Sequence, residues 1–233
     1  MTTQTIRTTP EQMPNTPETH AHALAMDEGF ELRQKDENGL YKNGDFRRIA
    51  AQKVLAAKSA GVPVSAVIGD VDGLKYANDT YGHEVGDEVL GGTGKALNEI
   101  VEEHAEETPI MAARIGGDEF ILLVFGDEDA AYLIAEELDE KHRNFLDNFE
   151  NNELKNKGVG LSMGTASLTK EMANLSDLMK KADQEMYKNK EAKLGELNRR
   201  KKLSLIAARG VLKLGGMRLR DAPKLWRRMG IID

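Results

Sequence analysis

The segments VPVSAVIGDVDG (62–73) and PIMAARIGGDEFILLVFG (109–126) decide the fold predicted for this chain. The first segment is a short β-branched run that ends in carboxylates, which is typical of a buried strand. The second contains two apolar runs around Gly116-Gly117-Asp118, which predicts a β-hairpin. If the first strand pairs beside the hairpin, Asp70 and Asp118 come to the same edge of the sheet.

Helices and one further strand surround these segments. Apolar residues at helical spacing predict a helix over 46–60 that ends at Gly61. The rest of the sequence predicts helices over 74–81, 84–107, 127–149 and 174–193, and a strand over 158–168. An apolar stripe in the helix over 127–149 is expected to pack in the core: Leu133, Ile134, Leu138, Phe145 and Leu146. Strands that alternate with helices around an antiparallel hairpin predict an α+β fold of the ferredoxin-like type.

The composition is that of a globular protein and excludes several kinds of chemistry. The chain has 233 residues, of which 40% are hydrophobic and 30% charged, and it contains no cysteine. Disulfides, thiolate zinc sites and cysteine nucleophiles are therefore excluded, and we expect a cytoplasmic location, where thiols stay reduced. No apolar run reaches the roughly 18 residues of a membrane span. The first 20 residues lack the apolar core of a secretory signal.

Charge is unevenly distributed along the chain. Residues 195–233 carry 11 Lys and Arg against 3 Asp and Glu, a balance of +8, so the net charge of −7 leaves −15 for the rest. We expect a disordered or partly helical N-terminal extension over 1–35, a folded domain over 36–195 and a basic amphipathic helical tail over 196–233. The tail is compatible with packing on the acidic body, binding an anionic surface or binding a partner. Charge complementarity favours packing or a protein partner over nucleic acid.

The acidic residues at the predicted sheet edge suit a divalent cation. Mg²⁺ prefers oxygen ligands such as the carboxylates of Asp70 and Asp118, and it keeps positions open for water and phosphates. Two bridged metal ions that clamp the attacking and leaving oxygens serve phosphoryl and nucleotidyl transfer. Gly116 and Gly117 allow positive φ in the turn and let a phosphate approach the backbone closely. The alternative is that these carboxylates, with those of Asp72 and Glu119, are ordinary solvated turn residues.

Two motifs of the chain resemble those of the GGDEF family of diguanylate cyclases. They are DVDGLKYANDTYGHEVGDEVL (70–90) and RIGGDEF (114–120), with Leu74 as the one evident change, where Phe is usual. The resemblance covers about residues 36–193 and implies a polymerase-palm-like βααββαβ domain, in agreement with the predicted element order. It implies a homodimeric nucleotidyltransferase that condenses two GTP into cyclic di-GMP and releases pyrophosphate.

The resemblance also implies a role for each matching residue. Mg²⁺, or Mn²⁺ in its place, would be bound by Asp70, Asp118 and the Val71 carbonyl. Asp118 would be the main catalytic carboxylate near the attacking 3′-hydroxyl, and Glu119 would support it. The guanine pocket would be formed by Asn78, His83 and Asp87. The phosphates would be contacted by Lys75, Arg114, Lys190, Gly116 and Gly117.

The chain departs from the family pattern at three places. The Gly-Arg-Asn that usually follows the last helix motif is replaced by Lys193, Leu194 and Gly195, and Lys193 is the candidate substitute for the missing phosphate contact. The usual opening DxLTGLxNR appears as DENGLYKNG (36–44), with shifted spacing. Positions 107–110 lack the Arg-x-x-Asp of the product-inhibition site, so we expect no feedback inhibition there.

These departures leave two alternatives beside the cyclase. The first is a catalytically weak GTP-binding or cyclic di-GMP-binding regulatory protein, which the altered end of the last helix motif motivates. The second is a cyclase with relaxed base choice, which Asp87 disfavours because a carboxylate pairs poorly with the acceptor N1 of adenine.

Overall fold

The chain forms a five-stranded sheet with helices on both faces. The structure is a computed structural model that describes residues 35–149, 154 and 157–214, with side chains through 196 and at 198 and 199. The strands are β1 (Tyr41–Lys42), β2 (Ser65–Asp72), β3 (Ile110–Arg114), β4 (Glu119–Val124) and β5 (Gly160–Ser167). The helices are α1 (Asn43–Ala60), α2 (Leu74–Tyr81), α3 (His83–Glu103), α4 (Glu128–Asp147) and α5 (Leu175–Leu214).

The strand order β1-β3-β4-β2-β5 places the strand with the two aspartates inside the sheet. The strand β2 pairs antiparallel with both β4 and β5, and β3 pairs antiparallel with β4, so the predicted hairpin is confirmed. The strand β1 pairs parallel with β3. It was missed from the sequence because two residues are too few to show an alternating pattern.

Successive residues of each central strand belong to two different cores, one on each face of the sheet. On one face, Ala66 and Ile68 cluster with the buried residues of α1 and α5. On the other, Val67 and Val71 cluster with buried residues of α2, α3 and α4. This double burial explains why β2 is a continuous apolar run in the sequence.

The helix α1 ends as the sequence predicts. Gly61 has φ 71°, and its N–H and that of Val62 donate to carbonyls of the last helical turn, at Lys58 (3.4 Å) and Ala57 (2.9 Å). Such a left-handed residue closes a helix at least cost when it is glycine.

One residue of the core stripe predicted for α4 is placed wrongly. Ile134, Leu138 and Leu146 are buried as expected and Phe145 packs against the same core, but Leu133 is 66% exposed. Adjacent helical residues point about 100° apart, so Leu133 and Ile134 cannot both face the sheet.

The helix α5 runs further than the predicted end at 193. It continues to Leu214, and residues 194–214 contain no proline and many good helix formers. The chain divides into two compact units within this helix, one through Tyr187 and one from Lys188. The amphipathic character of the tail over 196–233 stays a prediction, since residues 215–233 lie outside the described part. The predicted extension over 1–35 also lies outside it, apart from Lys35.

None of the helices in the described part of the chain combines the length and apolarity that a bilayer crossing requires.

His142 of α4 is a buried titratable group without polar contacts. Its side chain has no exposed surface, and neither ring nitrogen has a hydrogen-bond partner among the described residues. Its ring lies 6.1 Å from that of Phe145, centroid to centroid. Burial lowers the pKa of His142 from 6.5 to about 4, because an apolar environment disfavours the charged imidazolium.

Acidification is therefore expected to destabilise the wild type more than the variant His142→Leu. Because the folded pKa lies below the unfolded one, the unfolded chain binds the extra proton, and stability falls as the pH drops below about 6.5. This pKa shift lowers the free energy of unfolding by about 2 kcal/mol at pH 5, and by about 3 kcal/mol once the pH lies well below both pKa values. Urea unfolding at pH 7.5 and pH 5 gives the change in the free energy of unfolding between the two pH values for each protein. Because each protein is compared with itself, the packing cost of the substitution cancels. Equal losses in the two proteins would refute the assignment.

Candidate active site

The pairing of β2 with β4 brings the acidic residues of both motifs to one edge of the sheet. Asp70 lies opposite Glu119 in the antiparallel register, and the Val71 N–H donates to the carbonyl of Asp118 at 3.0 Å. Asp70 is buried, with 9% of its surface exposed, whereas Glu119 is exposed. The predicted placement of Asp70 and Asp118 at the same edge is confirmed, and their chemical roles stay predictions.

The turn between β3 and β4, Ile115–Asp118, is held by hydrogen bonds from several elements. The N–H groups of Ile115 and Gly116 donate to the carbonyl of Glu119 at 2.9 and 3.2 Å. The Asn43 side chain donates to the carbonyl of Ile115 at 2.8 Å. The acidic turn is thus tied to α1, β2 and β4 at once.

The turn does not use the positive φ that Gly116 and Gly117 allow. In the described residues, positive φ occurs only at other glycines: Gly39, Gly61, Gly73, Gly82 and Gly158. Arg114 and Phe120 are paired across the hairpin, and a connection of this length can close without left-handed backbone, whereas a two-residue turn would need it. A Cβ on Gly117 would meet nothing within 4 Å, which leaves room for a ligand against the backbone, and the predicted phosphate contact stays a prediction.

Arg114 is exposed and turned towards the backbone of the turn. Its Nε donates to the carbonyl of Gly117 at 3.0 Å, and its Nη2 donates to the same oxygen. The guanidinium therefore both holds the turn and places a positive charge beside it.

A cleft of about 140 Å³ opens between this turn, α3 and the loop that precedes β1. Five of the predicted site residues line it: Val71, Asp87, Arg114, Asp118 and Glu119. The helix α3 lines the cleft at positions 87, 90, 91, 93, 94 and 97, and most of these lie on one face of the helix at spacings of three and four residues.

Other predicted site residues lie outside the lining of this cleft. The side chain of Asn78 of α2 packs against α3: a Cβ added at Gly86 would lie 1.8 Å from the Asn78 Oδ1. The Asn78 amide is therefore close to the turn of α3 that carries Asp87. Lys75 is 89% exposed and pairs with Asp79 at 3.1 Å. His83 is exposed at the start of α3. Lys190 belongs to the unit from Lys188, so its contact with the triphosphate stays a prediction.

The loop of residues 36–40, to which sequence reasoning gave no role, forms one wall of the cleft. The Asp36 carboxylate accepts from the N–H groups of Asn38 and Leu40 at 2.9 and 3.0 Å. The Asn38 amide lies against α3, where a Cβ on Gly94 would come within 2.9 Å of it. The Asp-x-Asn-Gly pattern signals such a side-chain-closed turn, but only packing on α3 makes it part of the cleft.

The glycines of α3 also have a packing reason. A Cβ on Gly92 would fall 2.3 Å from the ring of Phe145 of α4. Gly92 and Gly94 thus admit a ring and an amide at close range inside a regular helix.

The oxygen donors at the sheet edge fit Mg²⁺ by their chemistry. Asp70 and Asp118 offer carboxylates and Val71 a backbone carbonyl, which are hard oxygen ligands. Asp72, the next acidic residue of β2, accepts a hydrogen bond from Ser162 at 2.6 Å. Residues 35–149, 154 and 157–214 contain no group of three or more His, Cys, Asp or Glu side chains that could hold a metal ion. The predicted magnesium site needs only two such side chains, the carboxylates of Asp70 and Asp118.

The sheet order, the helices on both faces and the acidic hairpin turn are together the architecture of a GGDEF domain. The chain belongs to the family described as diguanylate cyclase, GGDEF domain, whose sequence model matches residues 39–196.

Two curated relatives that are named as diguanylate cyclases are longer than this chain. A diguanylate cyclase of Vibrio cholerae is 31% identical over 149 residues, which are 63% of this chain and 41% of that protein. Diguanylate cyclase DgcS of Shewanella oneidensis is 33% identical over 130 residues, which are 54% of this chain and 39% of that protein. The chain thus spans less than half the length of these relatives.

Solved structures show the same fold. A sensory box/GGDEF family protein from Caulobacter crescentus is 29% identical with a TM-score of 0.56, covering 68% of this chain and 99% of that chain. The active GGEEF domain of a diguanylate cyclase from Vibrio cholerae is also 29% identical, with a TM-score of 0.54, covering 69% of this chain and 93% of that chain.

Proposed function

We propose that the protein is a diguanylate cyclase that condenses two GTP into cyclic di-GMP and releases two pyrophosphates. The observation that carries the proposal is the register that sets Asp70, Asp118 and Glu119 at one edge of the sheet, beside a cleft lined by Asp87 and Arg114. The family relatives named as diguanylate cyclases support the same activity.

The metal ions of the reaction would be held by Asp70, Asp118 and the carbonyl of Val71. Mg²⁺, or Mn²⁺ in its place, would supply neutralisation of the phosphate charge that develops during transfer. The burial of Asp70 suits this role, because a carboxylate with little access to water gains more from a cation than a solvated one does.

The residues of the chain would position the nucleotide and take up a proton. In each of the two condensations, a 3′-hydroxyl oxygen bonds to the α-phosphorus of the other GTP. The bond from that phosphorus to pyrophosphate breaks, and the hydroxyl proton leaves. Asp118 would receive the proton with Glu119 in support, and Arg114 would offset charge on the phosphates. The open space at Gly117 would admit a phosphate oxygen.

Guanine would be recognised between α2 and α3. Asp87 would accept from the N1–H and N2–H of the base, and Asn78 would offer its amide, with His83 beside them. Lys75 and Lys190 would contact the triphosphate. Because each protomer would bind one GTP, the reaction requires a symmetric homodimer with two facing clefts.

The binding role of the tail, the location of the protein and the bounds of the domain remain predictions from the sequence. The tail from 196 is proposed to bind a protein partner or an anionic surface rather than nucleic acid. The location is proposed to be cytoplasmic. The domain is proposed to span 36–195, close to the residues that the family model matches.

The test of the function is direct. The purified chain is incubated with GTP and Mg²⁺, and the products are identified by mass. Equimolar pyrophosphate per GTP consumed together with cyclic di-GMP supports the proposal, whereas bound but unchanged GTP refutes it.

The variants Asp87→Ala and Asn78→Ala are expected to raise the KM for GTP and to weaken discrimination against ATP. A site built to pair with the donors of guanine loses preference when the pairing group is removed, by about tenfold or more. The measurement is the ratio of kcat/KM for GTP and ATP. Asp129→Ala, an exposed carboxylate of α4, is the matched control, and an unchanged ratio in both site variants would remove the base-recognition roles.

A further inference from the structure

Asn43 bonds the start of α1 to the acidic turn, across 72 positions of the sequence. Its Nδ2 donates to the carbonyl of Ile115 at 2.8 Å. Asn43 directly follows β1, whose residues Tyr41 and Lys42 pair with the last two residues of β3. The amide therefore reaches the turn from a strand already paired beside it.

The orientation of the Asn43 amide is set by a second hydrogen bond. Arg47, one helical turn later, donates from Nε to the Asn43 Oδ1 at 2.8 Å. Because the Asn43 Oδ1 accepts from the Arg47 guanidinium, the Nδ2 of the same amide is oriented towards the carbonyl of Ile115. The Arg47 guanidinium is itself placed on α5, with Nη1 4.0 Å from the Met179 sulfur.

Three carbonyls of the turn, up to and including that of Asp118, accept hydrogen bonds from separate elements. Asn43 binds that of Ile115, Arg114 binds that of Gly117, and the Val71 N–H binds that of Asp118. The side chain of Asp118 is half-buried at this edge of the sheet. The direction of that side chain depends on the backbone of the turn, and Asn43 holds that backbone at its first residue, Ile115.

We propose that Asn43 is a positioning residue that holds the Ile115–Asp118 turn in the geometry needed for phosphodiester formation, with Arg47 orienting it. The inference rests on the proposed cyclase function. It predicts a loss in kcat rather than in GTP affinity, because a misplaced reacting carboxylate is felt most in the transition state.

The competing explanation is that Asn43 only stabilises the start of α1. The structure places its side chain on Ile115 and Arg47, and the helix has no side-chain cap at Lys42. The two explanations diverge for Asn43→Asp. A negative charge in the first turn of a helix is favourable, so a capping role predicts a stable and active variant. A positioning role predicts a stable variant with a lower kcat, because a carboxylate oxygen then faces the carbonyl of Ile115.

The experiment compares wild type, Asn43→Asp, Asn43→Ala and the control Asn148→Ala. The control removes another amide-to-carbonyl hydrogen bond, from Asn148 to Asn144 at 2.9 Å, at the end of α4. The full chain is assayed for kcat and KM with GTP and Mg²⁺, for melting temperature, and for amide hydrogen exchange at Ile115 and Gly116 without nucleotide.

For Asn43→Asp we expect kcat to fall about tenfold or more with KM within about twofold of wild type. Its melting temperature should stay near that of wild type, and exchange at Ile115 and Gly116 should rise about tenfold, since both amides bond within the turn. Asn43→Ala should show the same kinetic loss, and Asn148→Ala neither change.

The outcomes separate this inference from the proposed function. If the wild type forms no cyclic di-GMP, the proposed function fails, and the exchange data still decide whether Asn43 holds the turn. If the wild type is active, unchanged kcat in Asn43→Asp overturns the inference. Loss of kcat without faster exchange in the turn overturns it as well.

Discussion

Asp118→Ala is expected to abolish formation of cyclic di-GMP while leaving the protein folded. Asp118 lies in the turn between β3 and β4, is half-buried and lines the cleft. Its removal takes away a carboxylate proposed both to bind metal and to receive the proton, which should lower turnover by about a thousandfold or more. Its backbone carbonyl still accepts from the Val71 N–H, so the melting temperature should fall by no more than about 2 °C.

The measurement is GTP turnover beside a melting curve on the same preparations. Glu106→Ala is the matched control, since it removes an exposed carboxylate from the turn region at the other end of β3 and should keep wild-type turnover. Wild-type activity in folded Asp118→Ala would contradict the assignment of this turn as the reacting centre. A collapse of the melting temperature would instead show that Asp118 supports the fold.

Gly164→Ala is expected to cause the largest loss of stability of any single methyl addition considered. A Cβ at Gly164 of β5 would lie 2.0 Å from the backbone nitrogen of Met186 and 2.4 Å from the carbonyl oxygen of Ala182. Backbone atoms of a helix cannot turn away as a side chain can, so α5 must separate from the sheet. We expect a cost of about 3 kcal/mol or more, which lowers the melting temperature by about 10 °C.

Gly160→Ala is the matched control for this variant. It adds the same methyl group to the same strand, where a Cβ would meet nothing within 4 Å, and should change stability by less than about 0.5 kcal/mol. The comparison is made by urea unfolding and thermal melting. Equal stabilities of the two variants would show that α5 does not pack this closely on β5 through Ala182 and Met186.

Much of the candidate site was visible in the sequence because the acidic residues lie at strand ends. The hairpin signal around Gly116-Gly117-Asp118 and the buried run before Asp70 are both local, and each predicts its strand without knowledge of the other. That the two pair was a further assumption, which the antiparallel register of β2 with β4 confirms. The sequence could not indicate that the turn closes without positive φ, because glycine adopts either sign of φ and the folded backbone selects between them.

The parts of the site that were missed depend on contacts between distant residues. The loop of residues 36–40 becomes a wall of the cleft only because Asn38 packs at Gly94, and Asn43 reaches the turn only because β1 pairs with β3. Both contacts join segments more than 50 positions apart, and no periodicity records them. The exposure of Leu133 beside buried Ile134 is of the same kind, since the sheet selects which side of an amphipathic helix is covered.

Apart from the two-residue β1, the sequence was sufficient to predict the order of the elements, the acidic hairpin and the family to which the motifs point, because hydrophobic periodicity, turn residues and motif spacing are local properties of the chain. The tertiary structure alone decided the shape of the cleft, the burial of His142 and the need for glycine at positions 86, 92, 94 and 164. The physical reason is close packing: whether a methyl group, an imidazole or an amide fits is set by the atoms of another element, which the chain brings into contact only when it is folded.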